Sequence, residues 1–493
     1  MGIVIRQSLR NTILSYLGII IGYFNVLWLF PAVLNVDEIG LLRTILDISI
    51  LLAPFAQIGL SQSLMKFMPS FEHKEGNFLV FMLGTSIASC TVVLLIIFLF
   101  RDHFYSLFDQ NSPQVTQYLL LILSLILIMV VHGILEAFCR SKLDTVIITF
   151  VRDVFFRILT GGVIFLYFMD VTNLETALRN LQIVYASGVL VLSFRILLKH
   201  SIKINWNSVL PDKKLRSQIF EYSFFILLGS GGAIIVGKID HIMLASMVGL
   251  DATGIYSIAF FIAVVIEIPK RSIIQIVIPL ISKAFNHNDT ATISDIYTKT
   301  SINQLIMGLF IFIGIWANID NIYLLIPNRQ VFEAGKLVVL IIGISRLIDM
   351  GAGVNGEIIV YSKYYRFNII AVASLAMLTI ATNYLLIPLY GLNGAAMASA
   401  ISIFLFNLVK YVYIYSKLHI QPFTFKTILV IVIGFLVWYL SKWMPVQANF
   451  LLDILLRSAF ITLVYFGLVW RLKVSPDLNL TLESFVDKFR KKE

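Results

Sequence analysis

The stretch VTQYLLLILSLILIMVVHGILEAF at residues 115–138 decides the kind of fold. From Leu119 to Val131 it carries no charge, and its only polar side chain is Ser124. A helix rises about 1.5 Å per residue, so roughly 20 such residues cross the hydrocarbon core of a bilayer. Inside lipid every backbone N–H and C=O must find its partner within the segment, which a helix achieves and a lone strand does not. The stretch is therefore a membrane-crossing helix.

The same reading repeats along the chain. Apolar runs of this kind fall at 11–33, 40–64, 78–100, 146–169, 178–198, 219–247, 254–281, 300–326, 333–361, 367–388, 393–416, 424–443 and 451–472. The expected fold is all-α, a polytopic membrane protein of about fourteen spans. Composition agrees: of 493 residues, 59% are hydrophobic and 13% charged, against about 25% charged in a soluble domain. Arg6 and Arg10 precede the first run as they would in a signal peptide. That run is too long for one, however, contains Asn25 and Pro31, and lacks an Ala-x-Ala site, so an uncleaved first span is expected.

The net charge of +10 could suggest nucleic acid, but the 38 basic residues sit in small groups between apolar runs. That spacing is the signature of membrane topology. With the N-terminus in the cytoplasm, most of them fall on the cytoplasmic side. Arg101, Arg179, Arg329, Lys336 and Lys442 fall outside. Both termini are thus expected in the cytoplasm, and no nucleic-acid partner is expected. The outer loops are short, so none can house a catalytic domain. Cys90 and Cys139 lie in or beside apolar runs without a CxxC pattern and read as small core hydrophobes. The chain has no GxxxxGK[ST] phosphate loop, Cys/His metal cluster or Gly-x-Ser-x-Gly elbow, and an enzyme is not expected. Gly18-x-x-x-Gly22 suits close packing of helices.

The halves look related. Val36-Asp37-x-x-Gly40 aligns with Leu250-Asp251-x-x-Gly254, each after an apolar run and opening the next. Six helices per copy give both copies the same orientation in the membrane. The expected organisation is an N-terminal lobe at 1–198, a basic cytoplasmic linker at 199–218 and a C-terminal lobe at 219–416. Two further spans follow at 417–472, then a tail at 473–493. In the tail, Leu478, Leu482, Phe485 and Phe489 recur at helical spacing before a basic end. An amphipathic helix on an anionic leaflet and a frayed tail both fit.

Ionisable side chains inside spans are costly and usually functional. They are Arg43 and Asp47, Asp153 and Arg157, Lys238, Asp240 and His241, Arg346 and Asp349, Glu357, and Asp453 and Arg457, with His132 and Glu136 in the fourth span. Two readings stay open. Pairs three or four residues apart can neutralise each other along one helix. Alternatively Arg43, Arg157, Lys238 and Arg346 line a hydrated cationic lumen suited to phosphate. Lys238 has no evident partner on its own helix, because Asp240 projects about 200° away around it.

Three segments carry a resemblance: PAVLNVDEIGLLRTILDISILLAPFAQIGL (31–60), KIDHIMLASMVGLDATGIYSIAF (238–260) and NYLLIPLYGLNGAAMASAIS (383–402). The last, with Ile387-Pro388, Gly391 and Gly394-Ala395-Ala396, is the most specific. Over essentially the whole chain the sequence resembles the Wzx-like O-antigen flippases of the multidrug/oligosaccharidyl-lipid/polysaccharide exporter superfamily. The resemblance implies two six-helix lobes plus two C-terminal helices in the bacterial cytoplasmic membrane. It also implies alternating-access transfer of undecaprenyl-pyrophosphate-linked oligosaccharide between leaflets. A monomer is expected, with the lipid-linked oligosaccharide and membrane lipids as partners and a polysaccharide polymerase as a candidate one. No cofactor is implied beyond Na⁺ or H⁺ coupling, for which Asp240, Asp349 and Glu357 are candidate carriers. A small-molecule exporter of the same superfamily and a peptidoglycan lipid-precursor flippase are the alternatives.

Overall fold

The computed structural model describes residues 2–71, 74–200, 203–206 and 209–479. Among them helices dominate and no β-strand occurs. Among the described residues nine helices are long and apolar enough to cross a membrane, or eleven if two bent pairs, at 213–247 and 329–361, each count as one span. The chain is a multi-pass membrane protein.

The expectation of fourteen is higher because three segments escape a length criterion. Phe425–Ser441 has only 17 residues. The fifth run is interrupted by a π-helical turn at Phe150–Phe155 before Phe156–Phe168. The third case is the 54-residue helix Tyr365–Leu418, which is broken at Gly391 (φ 56°, ψ −131°). In a straight helix Thr382 and Ser402 would lie about 30 Å apart, yet their hydroxyls are 3.0 Å apart. The two halves therefore run antiparallel, as the separate runs 367–388 and 393–416 require. Only glycine adopts that backbone conformation freely at the fold point.

The chain divides into two compact units, Met1–Ser257 and Ile258–Glu493. In the first, Val36–Ala56 opens with a capping box, in which the Asn35 amide donates to Glu38 at 2.8 Å. After Ala56 the chain turns into Leu60–Phe67 at Gly59, in the left-handed region (φ 70°) and against the backbone of Ser223. The helix Lys213–Met247, which begins inside the expected 199–218 linker, packs on Val36–Ala56 and on Leu60–Phe67. A core of Leu60, Phe78, Met82, Phe138, Leu192 and Ile219 joins these elements. The two repeated turns meet reciprocally: a Cβ on Gly40 would overlap the Leu250 carbonyl, and one on Gly254 would overlap the Val36 carbonyl. The aligned residues thus make the same contact in exchanged roles.

In the second unit the last two helices, Phe425–Ser441 and Phe450–Arg471, pack on Thr290–Ala317 through Leu309, Ile313, Val430, Val437 and Tyr465. The Tyr465 hydroxyl donates to the Ile306 carbonyl at 3.0 Å. Leu478 packs against this core, whereas Leu482, Phe485 and Phe489 of the expected amphipathic tail lie outside the described residues.

Candidate functional site

In the first unit three in-span groups converge on Asp47, which is fully buried. Arg43, one turn earlier on the same helix, places Nε 2.8 Å from Oδ2, the expected i,i+4 pair. Lys238, on Lys213–Met247, donates from Nζ to Oδ1 at 2.7 Å. His241, one turn further along that helix, brings Nδ1 to 3.4 Å from Oδ2. The missing partner of Lys238 is thus on another helix, where spacing along its own sequence could not reveal it. Asp240 projects away, as expected, and accepts from the Tyr256 hydroxyl at 3.1 Å. The Tyr256 ring packs edge-on against His241.

The knot is polarised. Asp47 is 0% exposed, while the side chains of Arg43 and Lys238 are 34% and 21% exposed. The carboxylate is hidden, and the exposed part of the group is the positive charge of Arg43 and Lys238.

Arg157 is placed differently from the sequence expectation. The i,i+4 pair with Asp153 is not among the described ion pairs. The π-helical turn at Phe150–Phe155 inserts extra arc per turn and rotates position 153 out of line with 157. Asp153 instead holds Arg152 (2.9 Å) and accepts from Ser15 (3.0 Å). The Arg157 guanidinium donates to the Gly18 carbonyl, and the Arg157 carbonyl accepts from Asn25 at 2.7 Å. Gly18 and Gly22 are the surfaces on which Asp153 and Arg157 rest, which is the close packing their spacing suggested.

The second unit holds its own charged group. Arg346 and Asp349, expected as an intrahelical pair, each take a partner from the segment around Pro269. Arg346 reaches Glu267 at 3.1 Å and lies over the Phe260 ring. Lys270 bonds Asp349 Oδ2. Three residues apart on a helix leaves them only about 60° apart around it, so both reach the same neighbouring segment, whose acid and base each takes in place of the other. Neither Glu267 nor Lys270 stood out in the sequence, although an acid and a base flanking a proline inside an apolar run are the visible signal. Asn407 donates to Asp349 Oδ1 at 3.1 Å and accepts from Asn355 at 2.8 Å. Glu357 is half-buried nearby and, with Asp349, supplies negative field at the buried Lys410. Here carboxylates and cations are about equally exposed.

Asp453 and Arg457 form the expected i,i+4 pair, and Arg457 also donates to the Ser441 carbonyl at 2.7 Å. His132 and Glu136 lie 4.0 Å apart, with Arg140 on the same carboxylate. Among the described residues, no group of three or more His, Cys, Asp or Glu is arranged to hold a metal ion.

Residues 8–285 match the model of a family described as polysaccharide biosynthesis protein. An uncharacterized membrane protein of Methanocaldococcus jannaschii is 22% identical over 456 residues, covering 87% of each chain. The capsular polysaccharide biosynthesis protein CapF of Staphylococcus aureus is 24% identical over 225 residues, 44% of this chain and 54% of its own. Among solved structures, the lipid II flippase MurJ in an inward closed conformation aligns with a TM-score of 0.71 at 13% identity, covering 93% of this chain and 97% of that one. An inward-facing multidrug resistance MATE family transporter of the MOP superfamily aligns at 0.63 and 13%, covering 82% and 94%. With more than half its length inside the family model, and on a fold shared with MurJ and the MATE transporters, the chain belongs to the polysaccharide biosynthesis protein family.

Proposed function

We propose that this protein is a flippase rather than an enzyme. Its substrate is an undecaprenyl-pyrophosphate-linked oligosaccharide, carried by alternating access from the inner to the outer leaflet of a bacterial cytoplasmic membrane. The observation that carries the reading is the polarity of the Asp47 knot. In a low-dielectric path a pyrophosphate needs compensating positive charge, and Arg43 and Lys238 offer donors on the accessible side of a carboxylate that is itself hidden. Because Asp47 already neutralises part of that charge, the site binds without trapping, as a carrier requires. The glycan and pyrophosphate would pass a cationic lumen while the polyprenyl tail stays in lipid. Arg157 and Arg346 are further lumenal cations of this reading, and Asp240, Asp349 and Glu357 its candidate ion-coupling groups.

Supporting the substrate class are the family match and the relationship to a capsular polysaccharide biosynthesis protein. They favour a polysaccharide precursor over the peptidoglycan precursor named for MurJ. The hidden acid weighs against a carrier of small organic cations, which would present its carboxylate instead. The proposal keeps the lobes expected from the sequence at 1–198 and 219–416 with the 199–218 linker, both termini in the cytoplasm as the distribution of basic residues favours, and a monomer that works beside a polysaccharide polymerase.

The test is the sidedness of lipid-linked glycan in cells with and without the protein, in a strain lacking redundant flippases. Accumulation on the inner leaflet without the protein is the expected result. Unchanged sidedness overturns the substrate assignment and moves the exporter alternative forward.

A further inference from the structure

In the first unit a cavity of about 460 Å³ lies between the end of Leu60–Phe67 and the start of Lys213–Met247. On the topology proposed above this is the cytoplasmic end. Lys66 and Phe67 line it from the first helix. Gln218, Glu221, Tyr222 and Phe225 line it from the second, at i, i+3, i+4 and i+7, and so form one stripe along that helix. Other residues anchor the stripe from behind. Ile219 is fully buried in the core with Leu60 and Leu64, and the Ser63 and Ser223 hydroxyls share a hydrogen bond at 2.5 Å. The walls are thus set by packing rather than by the side chains that face the cavity.

Lys66 Nζ lies 3.6 Å from the centre of the Tyr222 ring and 5.4 Å from that of Phe67. The two rings meet edge to face at 5.9 Å. This cation–π contact holds the ammonium at the wall without using its N–H donors. Among the described residues, no hydrogen bond or ion pair engages the side chain of Lys66, Gln218 or Glu221. Lys66 and Glu221 line one cavity and do not pair. A neighbouring hollow of about 240 Å³ is the contrast, because there Lys142 and Glu75 are joined as an ion pair.

We propose that this cavity is a subsite for the sugar end of the substrate, where uncharged glycan is recognised outside the Asp47 knot. The proposal rests on the flippase reading for the identity of the glycan, but not for the chemistry of the cavity. Opposite charges held apart, with an amide beside them, offer both donors and acceptors to the hydroxyls of a sugar ring. The aromatic walls cover its apolar C–H face. Aromatic lining with a few placed polar groups is the usual form of a small-ligand site, whose volumes run from about 300 to 1,000 Å³. A phosphate suits the cavity less well, because Glu221 meets it with like charge. A polyprenyl chain also suits it less well, because it would strip water from three polar heads and return no hydrogen bond.

The test uses the full chain in phosphatidylcholine nanodiscs. The probe is the oligosaccharide released by mild acid from the producing strain's lipid-linked glycan. Inorganic pyrophosphate, and phosphatidylglycerol added to the nanodisc, serve as competitors. Titration followed by saturation-transfer NMR reads the Kd. Tyr222→Ala removes a ring and the support of Lys66, and should weaken binding about tenfold, the scale of one charged hydrogen bond. Glu221→Gln turns a charged acceptor into a neutral one and should weaken it by a few-fold. No binding by the wild type, or equal binding by the wild type and both variants, overturns the proposal. Displacement of the sugar by pyrophosphate or phosphatidylglycerol, made stronger by Glu221→Gln, also overturns it and makes the cavity an anion site. The sidedness assay on the same wild type separates the two readings. If the variants lose the sugar as expected but the wild type transfers no lipid-linked glycan, the flippase reading fails and the sugar site stands. If transfer is normal and the variants bind like the wild type, the sugar site fails and the flippase reading stands.

Discussion

The two charged groups are built from similar residues and arranged in opposite ways. In the first unit one buried carboxylate, Asp47, gathers Arg43, Lys238 and the equally buried His241, and only Arg43 and Lys238 are exposed. In the second, Arg346 with Glu267 and Lys270 with Asp349 form matched pairs with neither sign hidden. Desolvation makes the difference: a buried ion is tolerable only with its partners in place, so the hidden acid fixes the knot. Matched half-buried pairs can exchange partners at lower cost. The first arrangement suits holding an anion. The second suits a group that must rearrange.

Substitutions can break this contrast, and the largest effect is expected at the knot. Asp47→Asn leaves Arg43 and Lys238 facing each other, which should cost about 3–5 kcal/mol. Asp349→Asn should cost distinctly less, because its pair is partly accessible. Thermal unfolding of the purified variants compares them, and Asp47→Asn with Lys238→Met should regain part of the loss if the cost is uncompensated charge. Equal losses at the two acids would erase the distinction.

Next come the reciprocal glycines. Gly40→Ala and Gly254→Ala each force a methyl into a backbone carbonyl, and a loss of about 1–3 kcal/mol is expected from overpacking. Gly84→Ala meets nothing within 4 Å and should be neutral or stabilise by up to about 1 kcal/mol. If Gly40→Ala and Gly254→Ala differ widely, the two copies of the turn do not bear equivalent loads.

A smaller effect is expected on transport at Arg346. Because Glu267 already engages it, Arg346→Ala should slow glycan transfer by only a few-fold, the scale of one partly exposed charged hydrogen bond. The same change at Lys238 should cost about tenfold. Initial rates at matched membrane levels measure both.

The smallest effect lies at the membrane surface. Burial alone would push the Asp144 carboxyl up, but hydrogen bonds from Arg195 and Lys199 outweigh it and hold the group below its ordinary range. A depressed carboxylate contributes stability above its unfolded value of about 4, and that contribution is lost as pH falls through the lower folded value. Asp144→Asn should therefore lower stability at neutral pH and flatten its decline in acid. An unchanged acid profile would show that the Arg195 and Lys199 contacts do not act on the folded state.

How far the sequence could be read follows from what each signal measures. Hydropathy marks lipid exposure, so the runs were legible, including the pair folded at Gly391 that length alone would merge. Helical spacing reports neighbours on one helix, and it found Arg43–Asp47 and Asp453–Arg457. It could not find Lys238–Asp47, Arg346–Glu267 or Lys270–Asp349, whose partners are distant in sequence. It misplaced Asp153 relative to Arg157 because a π-helical turn changes the period without marking composition. Lys410 and Lys270 read as cations at helix ends on the cytoplasmic side, since each sits near the end of an apolar run. Their burial arises only when neighbouring helices close over them.

The most direct measurement of whether the knot presents positive charge to an anionic substrate is leaflet sidedness of lipid-linked glycan with Lys238→Met and Lys238→Arg, at wild-type membrane levels. The expected result is inner-leaflet accumulation with Lys238→Met and near-normal transfer with Lys238→Arg. Normal transfer with Lys238→Met would contradict it, and would leave the Asp47 knot as a brace between helices.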